Sequence, residues 1–381
     1  MSPALSHINE RLVDFEGKAL LYFGGCDYFR LSSHLEVLGR LNSSIHQTGH
    51  VSVGASRNTT GNHKVFETLE TELATFLDGE SAVLTGAGYL ANLSLAQFFR
   101  EHASHLIIDS MAHSSLKDAA RLSGIPVHSY QHRNAKAASE ICNTLKVPSR
   151  CFLLTDGVFG LDGTVAPLSD LHTSLSEKIG FVIDDAHGFG VMGVRGKGTG
   201  SEIDWGERNI IRTISLAKAL GCHGGAVVGG HRVIEAVKSK SPVWSGHTPF
   251  PVGLGEACSA GLKVLIEDQE RHQRLKDNLT VMDGLLRQSK ELPGAKLSFP
   301  VFSFAGDRMK DPDKRAEIEH TFIQHGVYPS IVRYPGISEG FLIRLAISSE
   351  HQPEDLNILK MALTEVNEAV GLRSFYLADQ H

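Results

Sequence analysis

The sequence has few of the features that mark a secreted, membrane-bound or nucleic-acid-binding protein. Five of its 381 residues are cysteine, an odd number without C-x-x-C spacing, which argues against a disulfide framework or a zinc site. No apolar run reaches about 18 residues, and residues 1–10 lack the basic and apolar regions of an export signal. Lysine and arginine are scattered in a chain of net charge −6, which leaves no basic stripe for nucleic acid. These absences indicate a cytoplasmic protein, without a membrane span, whose partners are small solutes.

The residues that are present indicate an α/β protein. Hydrophobic residues make up 41% of the chain and charged residues 21%, as in ordinary globular domains. From residue 81 onward, short apolar runs alternate with stretches that can form helices, such as 115–123 and 168–178. This alternation predicts a doubly wound, mainly parallel sheet of seven strands with right-handed crossovers. The predicted strands are residues 82–84, 106–108, 127–130, 151–154, 181–183, 211–214 and 226–228.

The chain on either side of this sheet is predicted to form an N-terminal arm and a smaller C-terminal α+β domain. Residues 42–61 are rich in Ser, Thr, Asn and Gly and favour a long polar loop, whereas residues 254–292 show long helical periodicity. The other predicted elements are helices at 5–14, 64–77, 314–325 and from Pro353 onward, and strands at 19–23, 297–304 and 341–347. The predicted boundaries are 1–44 for the arm, 45–275 for the large domain and 276–381 for the small domain.

Lys218 stands where a β-branched run enters a glycine-rich turn. The run at 211–214 predicts a buried strand, and three glycines follow Lys218 within seven residues. A lysine that is desolvated where a parallel sheet opens has a lowered pKa and can form a Schiff base with a carbonyl compound. An inert lysine on a solvated surface is the alternative, and only neighbouring signals decide between the two.

Two further candidates lie where predicted strands end. The strand at 82–84 leads through T-G-A-G-Y-L-A-N into a helix that starts near Tyr89, and Gly88 lets the main chain approach a phosphate closely. A plain strand-to-helix turn is the alternative. His113 follows the next strand, where an imidazole can stack on a planar ligand or shuttle protons. The alternative for His113 is a purely structural role, as for most of the 20 histidines.

Two charged residues complete the set of candidates. Asp184 ends the strand at 181–183, with His187 three residues later. Because side chains alternate along a strand, only one of Asp184 and Asp185 can face the crevice, where a carboxylate needs a cationic partner. A helix cap or an internal salt bridge is the alternative. Arg344 interrupts the apolar run F-L-I-R-L-A-I, and a guanidinium in such a strand usually binds a carboxylate, of substrate or of protein.

A phosphate turn, a histidine, a strand-end aspartate and a lysine together suit pyridoxal phosphate. This cofactor is an electron sink only while its pyridine nitrogen stays protonated, which a carboxylate enforces, and it is held as a Schiff base on a lysine. With these motifs the chain resembles the α-oxoamine synthase family of class II pyridoxal-phosphate enzymes. The resemblance runs from C-D-Y-F-R-L at Cys26 through G-Y-L-A-N at Gly88 to Arg344.

The resemblance implies a role for each candidate residue. These roles are the Schiff base for Lys218, the pyridinium partner for Asp184, the ring-stacking histidine for His113, a hydrogen bond to the cofactor's phenolic oxygen for His187, the phosphate turn for Gly88 and Tyr89, a phosphate-contacting hydroxyl for Ser215, and the amino-acid carboxylate for Arg344.

The resemblance also implies fold type I, a homodimer with each site at the interface, and a Claisen-type condensation. In that reaction an amino acid displaces Lys218, loses its α-proton to the same lysine and attacks an acyl-CoA thioester. Decarboxylation commonly follows and gives an aminoketone. The expected substrates are therefore a small amino acid and an acyl-CoA.

Three positions depart from the family pattern. Gly160 stands where a cofactor-contacting serine is usual, Phe66 where a histidine is usual, and Gly246 where a phosphate-binding threonine of the neighbouring subunit is expected. Each departure removes a polar contact worth about 1 kcal/mol. Two other functions stay open: a pyridoxal-phosphate lyase or decarboxylase that does not use acyl-CoA, and a non-catalytic subunit, which the presence of Lys218 disfavours.

Overall fold

The computed structural model describes residues 4–145, 150–289, 297–306, 309, 311–333 and 340–376. The chain divides into two units. The larger unit consists of His34–Phe159 and Val165–Glu267, and the smaller unit consists of Met1–Ser33, Gly160–Thr164 and Asp268–His381. The three-part division with boundaries at residues 44 and 275 stays a prediction.

The strands and helices of the described residues are numbered in chain order. The strands are β1 (Ser6–His7), β2 (Leu12–Phe15), β3 (Lys18–Leu21), β4 (Ser81–Thr85), β5 (His105–Asp109), β6 (Val127–Tyr130), β7 (Cys151–Asp156), β8 (Gly180–Asp184), β9 (Ile210–Ser215), β10 (Gly225–Gly229), β11 (Val301–Gly306), β12 (Ile331–Val332), β13 (Leu342–Ala346) and β14 (Leu372–Ser374). The helices are α1 (Leu35–Thr48), α2 (Lys64–Phe76), α3 (Gly88–Ser94), α4 (Ala96–His102), α5 (Ser114–Ser123), α6 (Ala135–Leu145), α7 (Leu168–Ser174), α8 (His231–Lys240), α9 (Pro242–Ser245), α10 (Val252–Glu267), α11 (Gln269–Gln288), α12 (Pro312–Gln324) and α13 (Pro353–Val370).

The larger unit is built on a seven-stranded sheet in the order β4-β10-β9-β8-β7-β5-β6. All seven strands predicted from the sequence are present, and the mainly parallel character is confirmed. Only β10 runs antiparallel, to both β4 and β9. The connection from β9 to β10 covers residues 216–224, which is too short for the crossover that parallel neighbours require.

Helices cover both faces of a parallel sheet, so its central strands are apolar throughout. In β8, Phe181, Val182 and Ile183 are all fully buried. The helical stretch predicted from residue 168 to 178 ends earlier, at Ser174. Polar side chains are therefore concentrated at the ends of the strands, which is where the candidate site lies.

The smaller unit contains the sheets β1-β2-β3 and β12-β13-β11-β14. The helix predicted at residues 5–14 is wrong, because this stretch forms β1 and β2. The Asn9 side chain accepts hydrogen bonds from the main-chain nitrogens of Arg11 and Leu12, both at 2.9 Å, and so supports a turn between the two strands. Glu16 and Gly17 then have positive φ angles of 53° and 77°, as a tight hairpin turn to β3 requires.

Two other predicted boundaries are wrong. The polar loop predicted from residue 42 begins later, because α1 continues to Thr48 and ends at Gly49, whose φ is 65°. The long helix predicted at 254–292 is interrupted at Asp268, whose carboxylate accepts a hydrogen bond from Arg271 N at 2.9 Å and caps α11. Residues 290–292 of that prediction lie outside the described residues.

The remaining predictions for the C-terminal part are confirmed with small shifts. Strand β11 begins at Val301 instead of residue 297, and α12 begins at Pro312 instead of residue 314. Helix α13 begins at Pro353, and its predicted apolar face is fully buried: Leu356, Leu359, Leu363 and Val366. No helix in the described part of the chain is long and apolar enough to cross a membrane.

His351 is a buried neutral histidine in the smaller unit. Its Nδ1 accepts a hydrogen bond from Ser348 N at 3.0 Å, so the proton lies on Nε2, which donates to the Tyr22 carbonyl at 3.2 Å. The imidazole stacks on Phe23 with ring centroids 4.2 Å apart. Burial, together with the charge of Arg30, lowers the pKa of His351 from 6.5 to about 3.

We expect His351 to make the protein less stable as the pH falls. His351 takes up a proton near pH 6.5 in the unfolded chain but only near pH 3 in the folded chain. The free energy of unfolding therefore decreases as the pH falls from 6.5 to about 3. The loss reaches about 1.4 kcal/mol per pH unit. Urea unfolding at several pH values should show a steeper decline for the wild type than for His351→Gln, whose amide can accept and donate in the same way. Equal slopes would contradict the assignment.

Candidate active site

Four parallel strands of the larger unit end in polar residues at the same edge of the sheet. The last residues of β5, β7, β8 and β9 are Asp109, Asp156, Asp184 and Ser215. Strands β7 and β8 are paired in register so that Asp156 lies beside Asp184, and β8 pairs with β9 so that Asp184 lies beside Thr213. In open α/β sheets, ligands bind outside the carboxyl ends of the strands. This edge is therefore the place to look for a site.

Lys218 lies in the turn that follows β9 and is half-buried. Main-chain hydrogen bonds hold the turn: Gly221 N donates to the Lys218 carbonyl and Leu216 N donates to the Gly224 carbonyl, both at 3.0 Å. The ammonium charge of Lys218 acts to lower the pKa of His113 and of Asp156. Lys218 is thus electrostatically coupled to two other groups at the same edge.

Asp184 is buried and is held by the side chain of Asn92, a residue of α3. Asn92 Nδ2 donates to Asp184 Oδ2 at 2.6 Å and to Ser115 Oγ at 2.8 Å. The Asn92 carbonyl oxygen in turn accepts from Thr213 Oγ1 at 2.7 Å. The nitrogen and the oxygen of the Asn92 amide are therefore both hydrogen-bonded. These bonds fix the orientation of the Asp184 carboxylate.

His113 caps the N-terminus of α5 with its side chain. Its Nδ1 accepts from Ser115 N at 3.3 Å and lies 2.7 Å from Ser115 Oγ. Because a main-chain N–H can only donate, the neutral ring carries its proton on Nε2. Burial lowers the pKa of His113, with Asp184 opposing and Lys218 reinforcing this shift. The neutral imidazole is therefore connected to Asp184 through Ser115 and Asn92.

Asp156 is a fourth member of this group that the sequence patterns did not single out. Its Oδ1 accepts a hydrogen bond from His113 N at 2.9 Å, which positions the main chain at that histidine. Burial and the neighbouring Asp184 carboxylate raise the pKa of Asp156 well above its usual value. Like charges on adjacent strand ends repel, and this repulsion favours the protonated form of Asp156 over the charged form.

Asp185 points to a different set of partners, as the alternation of strand side chains predicts. Its Oδ2 forms an ion pair with Arg212 at 3.2 Å and accepts from Thr199 N at 3.0 Å. Burial raises the pKa of Asp185 to about 6, although Arg212 and Thr199 oppose the shift. A Cβ at Gly198 would lie 1.8 Å from Asp185 Oδ2, so the carboxylate is closely enclosed. The internal salt bridge, which was the alternative for Asp184, is thus formed by Asp185.

Gly88, Ser215 and Gly225 come together where β4 leads into α3. A Cβ at Gly88 would lie 3.0 Å from Ser215 Cβ, and a Cβ at Gly225 would lie 2.6 Å from Gly88 N. Any side chain at Gly88 or Gly225 would therefore force the turn away from Ser215. The Thr85 hydroxyl donates to the Ala87 carbonyl at 2.9 Å and further fixes the turn. The result is a glycine-lined cradle with the Ser215 hydroxyl on one side.

Tyr89, His187 and His247 surround this edge with differing degrees of exposure. Tyr89 is exposed; its hydroxyl donates to Asp118, and its ring meets that of His113 edge to face with centroids 6.0 Å apart. His187 is half-buried and follows Asp184 by three residues. The His247 ring lies against Gly86 of the turn, since a Cβ there would be 3.5 Å from His247 Nε2.

Arg344 belongs to the smaller unit and lies in β13. Its Nε donates to the Gly160 carbonyl at 2.8 Å, and its Nη2 donates to Cys26 Sγ at 3.4 Å. The neighbouring residues Ile343 and Leu345 are fully buried. The guanidinium is thus oriented by a main-chain carbonyl and by the sulfur of Cys26.

The three departures from the family pattern have structural counterparts. Gly160 supplies its carbonyl to Arg344, a contact that needs no side chain. Phe66 is fully buried in the core of the larger unit, where Arg57 lies over its ring at 5.3 Å. A Cβ at Gly246 would lie 2.7 Å from the Pro242 carbonyl, so the end of α9 favours glycine there.

The residues at this edge of the larger unit suit pyridoxal phosphate. The cofactor needs an amine, a carboxylate for its ring nitrogen and a site for its phosphate. Lys218, Asp184 and the Gly88–Ser215 cradle provide groups of these kinds within one unit. Among the described residues, no group of three or more His, Cys, Asp or Glu side chains could hold a metal ion.

Sequence patterns did not assign roles to Asn92, Ser115, Thr213 and Asp156. Asn92 could have been found, because it is a polar residue on the buried side of a helix and ends the quoted motif G-Y-L-A-N. Asp156 occupies the same strand-end position as Asp184, which is a weaker signal. Ser115 and Thr213 gave no signal, since hydroxyl side chains are common at helix starts and in strands.

Comparisons with known proteins show the family of this chain. The family described as aminotransferase class I and II matches residues 34–363. An 8-amino-7-oxononanoate synthase from Acidithiobacillus ferrooxidans is 29% identical over 371 residues, which cover 96% of this chain and 93% of that protein. The enzyme of the same name from Xanthomonas campestris pv. campestris is 30% identical over 364 residues, with 94% and 89% covered.

Solved structures show the same fold. The serine palmitoyltransferase of Sphingomonas wittichii superposes with a TM-score of 0.87 at 19% identity, over 96% of this chain and 92% of that one. Its sheet-and-helix architecture is that of fold type I. The chain belongs to the aminotransferase class I and II family, and within it to the α-oxoamine synthases, which are pyridoxal-phosphate-dependent transferases.

Proposed function

We propose that this protein condenses a small amino acid with an acyl-CoA to give an aminoketone and CoA, usually with loss of CO2. The relatives it matches are named for the synthesis of 8-amino-7-oxononanoate, which carries an amino group and a ketone. The observation that supports the proposal most strongly is the coupling of Lys218, His113 and Asp184 at one sheet edge. That set contains a base, a neutral imidazole and a carboxylate.

We propose that the larger unit holds the cofactor through its own side chains and turns. Ser215 and the main chain at Gly88 and Tyr89 would hold the phosphate; Tyr89 would use its N–H, since its hydroxyl donates to Asp118. Asp184 would keep the proton on the pyridine nitrogen, and His187 would hydrogen-bond the phenolic oxygen. When bound, pyridoxal phosphate supplies an electron sink for the carbanion that forms at the α-carbon of an amino acid.

We propose that Lys218 both binds the cofactor covalently and moves the α-proton through its Nζ atom. Its placement in a turn held by main-chain hydrogen bonds supports this role, because a base must be within reach of the proton that it removes. The His113 ring would lie against the cofactor, and its hydrogen bond to Ser115 keeps the ring in one tautomer. Asp156 would position His113 through the main chain.

Arg344 is proposed to bind the carboxylate of the amino-acid substrate. A guanidinium suits this task because its planar donors match the two oxygens of a carboxylate. The contacts to Gly160 and Cys26 support the proposal, since they orient the side chain.

We further propose that the protein is a homodimer of the cytoplasm with its active sites at the subunit interface. Helix α1 supports the dimer, because Leu35, Leu38 and Ile45 are all exposed, Leu35 by 86%, and recur on one side of the helix. Exposed apolar stripes of this kind favour contact with another protein surface. The five dispersed cysteines support a reducing compartment. Sedimentation equilibrium should give twice the mass of the chain.

Release of free thiol tests the proposed reaction. Cofactor-loaded enzyme is mixed with glycine, alanine or serine and with acyl-CoA thioesters of several chain lengths, and the CoA thiol is measured with a chromogenic disulfide. We expect thiol release that needs both the amino acid and the thioester. Consumption of the amino acid with no thiol from any thioester would indicate a lyase or decarboxylase instead. A protein that binds no cofactor at all would contradict the enzymatic assignment.

A further inference from the structure

Two of the five cysteines, Cys222 and Cys258, place their thiol groups at the same turn, near each other. Cys222 lies four residues after Lys218 in the turn between β9 and β10, whereas Cys258 lies in α10. Both residues belong to the larger unit. The fold therefore joins two thiols that are distant in sequence directly beside the turn that carries the reactive lysine.

Both thiols also bind the main chain of this turn. Cys222 Sγ donates to the Leu220 carbonyl at 3.2 Å, and Cys258 Sγ donates to the His223 carbonyl at 3.7 Å. The main-chain nitrogen of Cys222 donates to the Leu216 carbonyl at 3.0 Å. The two sulfur atoms are thus held on the same short turn and lie close to each other.

The two thiols differ in access to solvent. Cys222 is half-buried, whereas Cys258 is fully buried. The contact with Cys222, followed by burial, raises the pKa of Cys258 well above its usual value. A reagent dissolved in water therefore meets Cys222 first, and Cys258 can react only with a partner already inside the protein. This asymmetry is that of an attacking and a resolving cysteine.

We propose that Cys222 and Cys258 form a redox-modification site, which a low-molecular-weight disulfide such as oxidised glutathione converts to an intrachain disulfide. In the first step, the Cys222 thiolate attacks one sulfur of the oxidant, whose S–S bond breaks to release one thiol. In the second step, the Cys258 sulfur attacks the Cys222 sulfur and releases the second thiol. The two cysteines lose two electrons, the oxidant gains them, and both cysteine protons end on the released thiols.

The disulfide would fasten the turn after Lys218 to α10. A disulfide holds its sulfur atoms about 2.05 Å apart, which is closer than any thiol hydrogen bond, so the turn must move toward the helix. Gly221 lies between Lys218 and Cys222 and donates to the Lys218 carbonyl, so the movement reaches the lysine backbone. This consequence rests on the proposed function of Lys218, whereas the formation of the disulfide does not.

Thiol mapping of the full-length cofactor-loaded protein tests the proposal. After treatment with oxidised glutathione, we expect the number of alkylatable thiols to fall from five to three. Proteolysis should yield one cross-linked pair of peptides, which contain Cys222 and Cys258, and dithiothreitol should reverse it. Cys258→Ala should instead accumulate glutathione on Cys222. Cys142→Ser is the matched control and should still form the cross-link.

A second measurement tests the link to Lys218. The affinity of the reduced and the oxidised protein for pyridoxal phosphate should differ by at least about fivefold, the lower end of ordinary coupling between sites. Five remaining thiols, or a cross-link through other cysteines, would overturn the proposal. A cross-link at Cys222 and Cys258 with unchanged cofactor affinity would overturn only the connection to Lys218. Failure of the proposed acyl transfer would leave the peptide map unaffected, so the two failures are distinguishable.

Discussion

Replacement of Lys218 by alanine is expected to lower the turnover number by at least about 10³-fold, because the same amine is proposed to bind the cofactor and to transfer the substrate proton. Borohydride reduction of the loaded wild type should attach a pyridoxyl group to Lys218, and mass spectrometry of Lys218→Ala should find no label in that peptide. The loss of turnover and the loss of the label both follow from removal of one amine. Only the turnover number depends on the substrate chosen.

The matched control for this variant is Lys136→Ala. Lys136 is exposed on α6 and pairs weakly with Glu140, so its removal should change neither the labelling nor the turnover number. Added methylamine should restore part of the activity of Lys218→Ala if the loss is chemical rather than a failure to fold. Turnover by Lys218→Ala within tenfold of the wild type would refute the assignment of Lys218 as the base.

Asp184→Asn is expected to lower the turnover number by about 10²–10³-fold, because a neutral amide does not hold a proton on the ring nitrogen. The labelling of Lys218 by borohydride should persist, since the turn after β9 does not depend on the charge of Asp184. Asn92 can still donate to the oxygen of the new amide, so the fold should tolerate the change. Loss of activity with labelling intact separates this variant from Lys218→Ala.

Asp185→Asn is the informative comparison, because the two carboxylates are adjacent in sequence and have different partners. Asp185 pairs with Arg212 in the interior, and removal of its charge leaves that guanidinium buried and uncompensated. We expect a loss of about 3–5 kcal/mol in the free energy of unfolding, with little change in turnover per folded molecule. If Asp184→Asn were the variant that mainly lost stability, the two assignments would have to be exchanged.

The strand-end residues could be predicted because each depends on local pattern. Lys218, Asp184 and His113 each follow a short apolar run, and the carboxyl ends of parallel strands meet at one edge whatever the order of the strands. The opposite directions of Asp184 and Asp185 follow from the alternation of side chains alone. Their roles in catalysis stay a prediction that the variants above test.

Other features were missed because they depend either on contacts between residues distant in sequence or on local turns and caps that the apolar pattern does not reveal. Asn92 reaches Asp184 because α3 packs against β9 and β10, and the periodicity of the sequence does not indicate which helix faces which strand. The stretch at residues 5–14 forms two strands and not the predicted helix, because Asn9 supports a turn between them. The predicted helix at 254–292 is interrupted because the Asp268 carboxylate caps α11, and the preference of aspartate for N-cap positions was the signal for this break in the sequence.

Apolar periodicity and turn residues were sufficient to specify the seven strands, the buried face of α13 and the chemical types grouped around Lys218, because these properties act between residues near in sequence. The hydrogen bond from Asn92 to Asp184 and the contact of Cys258 with the turn that contains Cys222 arose from packing in three dimensions. Burial of an unpaired polar group costs free energy, so buried polar groups are paired. Which partner each one finds depends on how the whole interior packs.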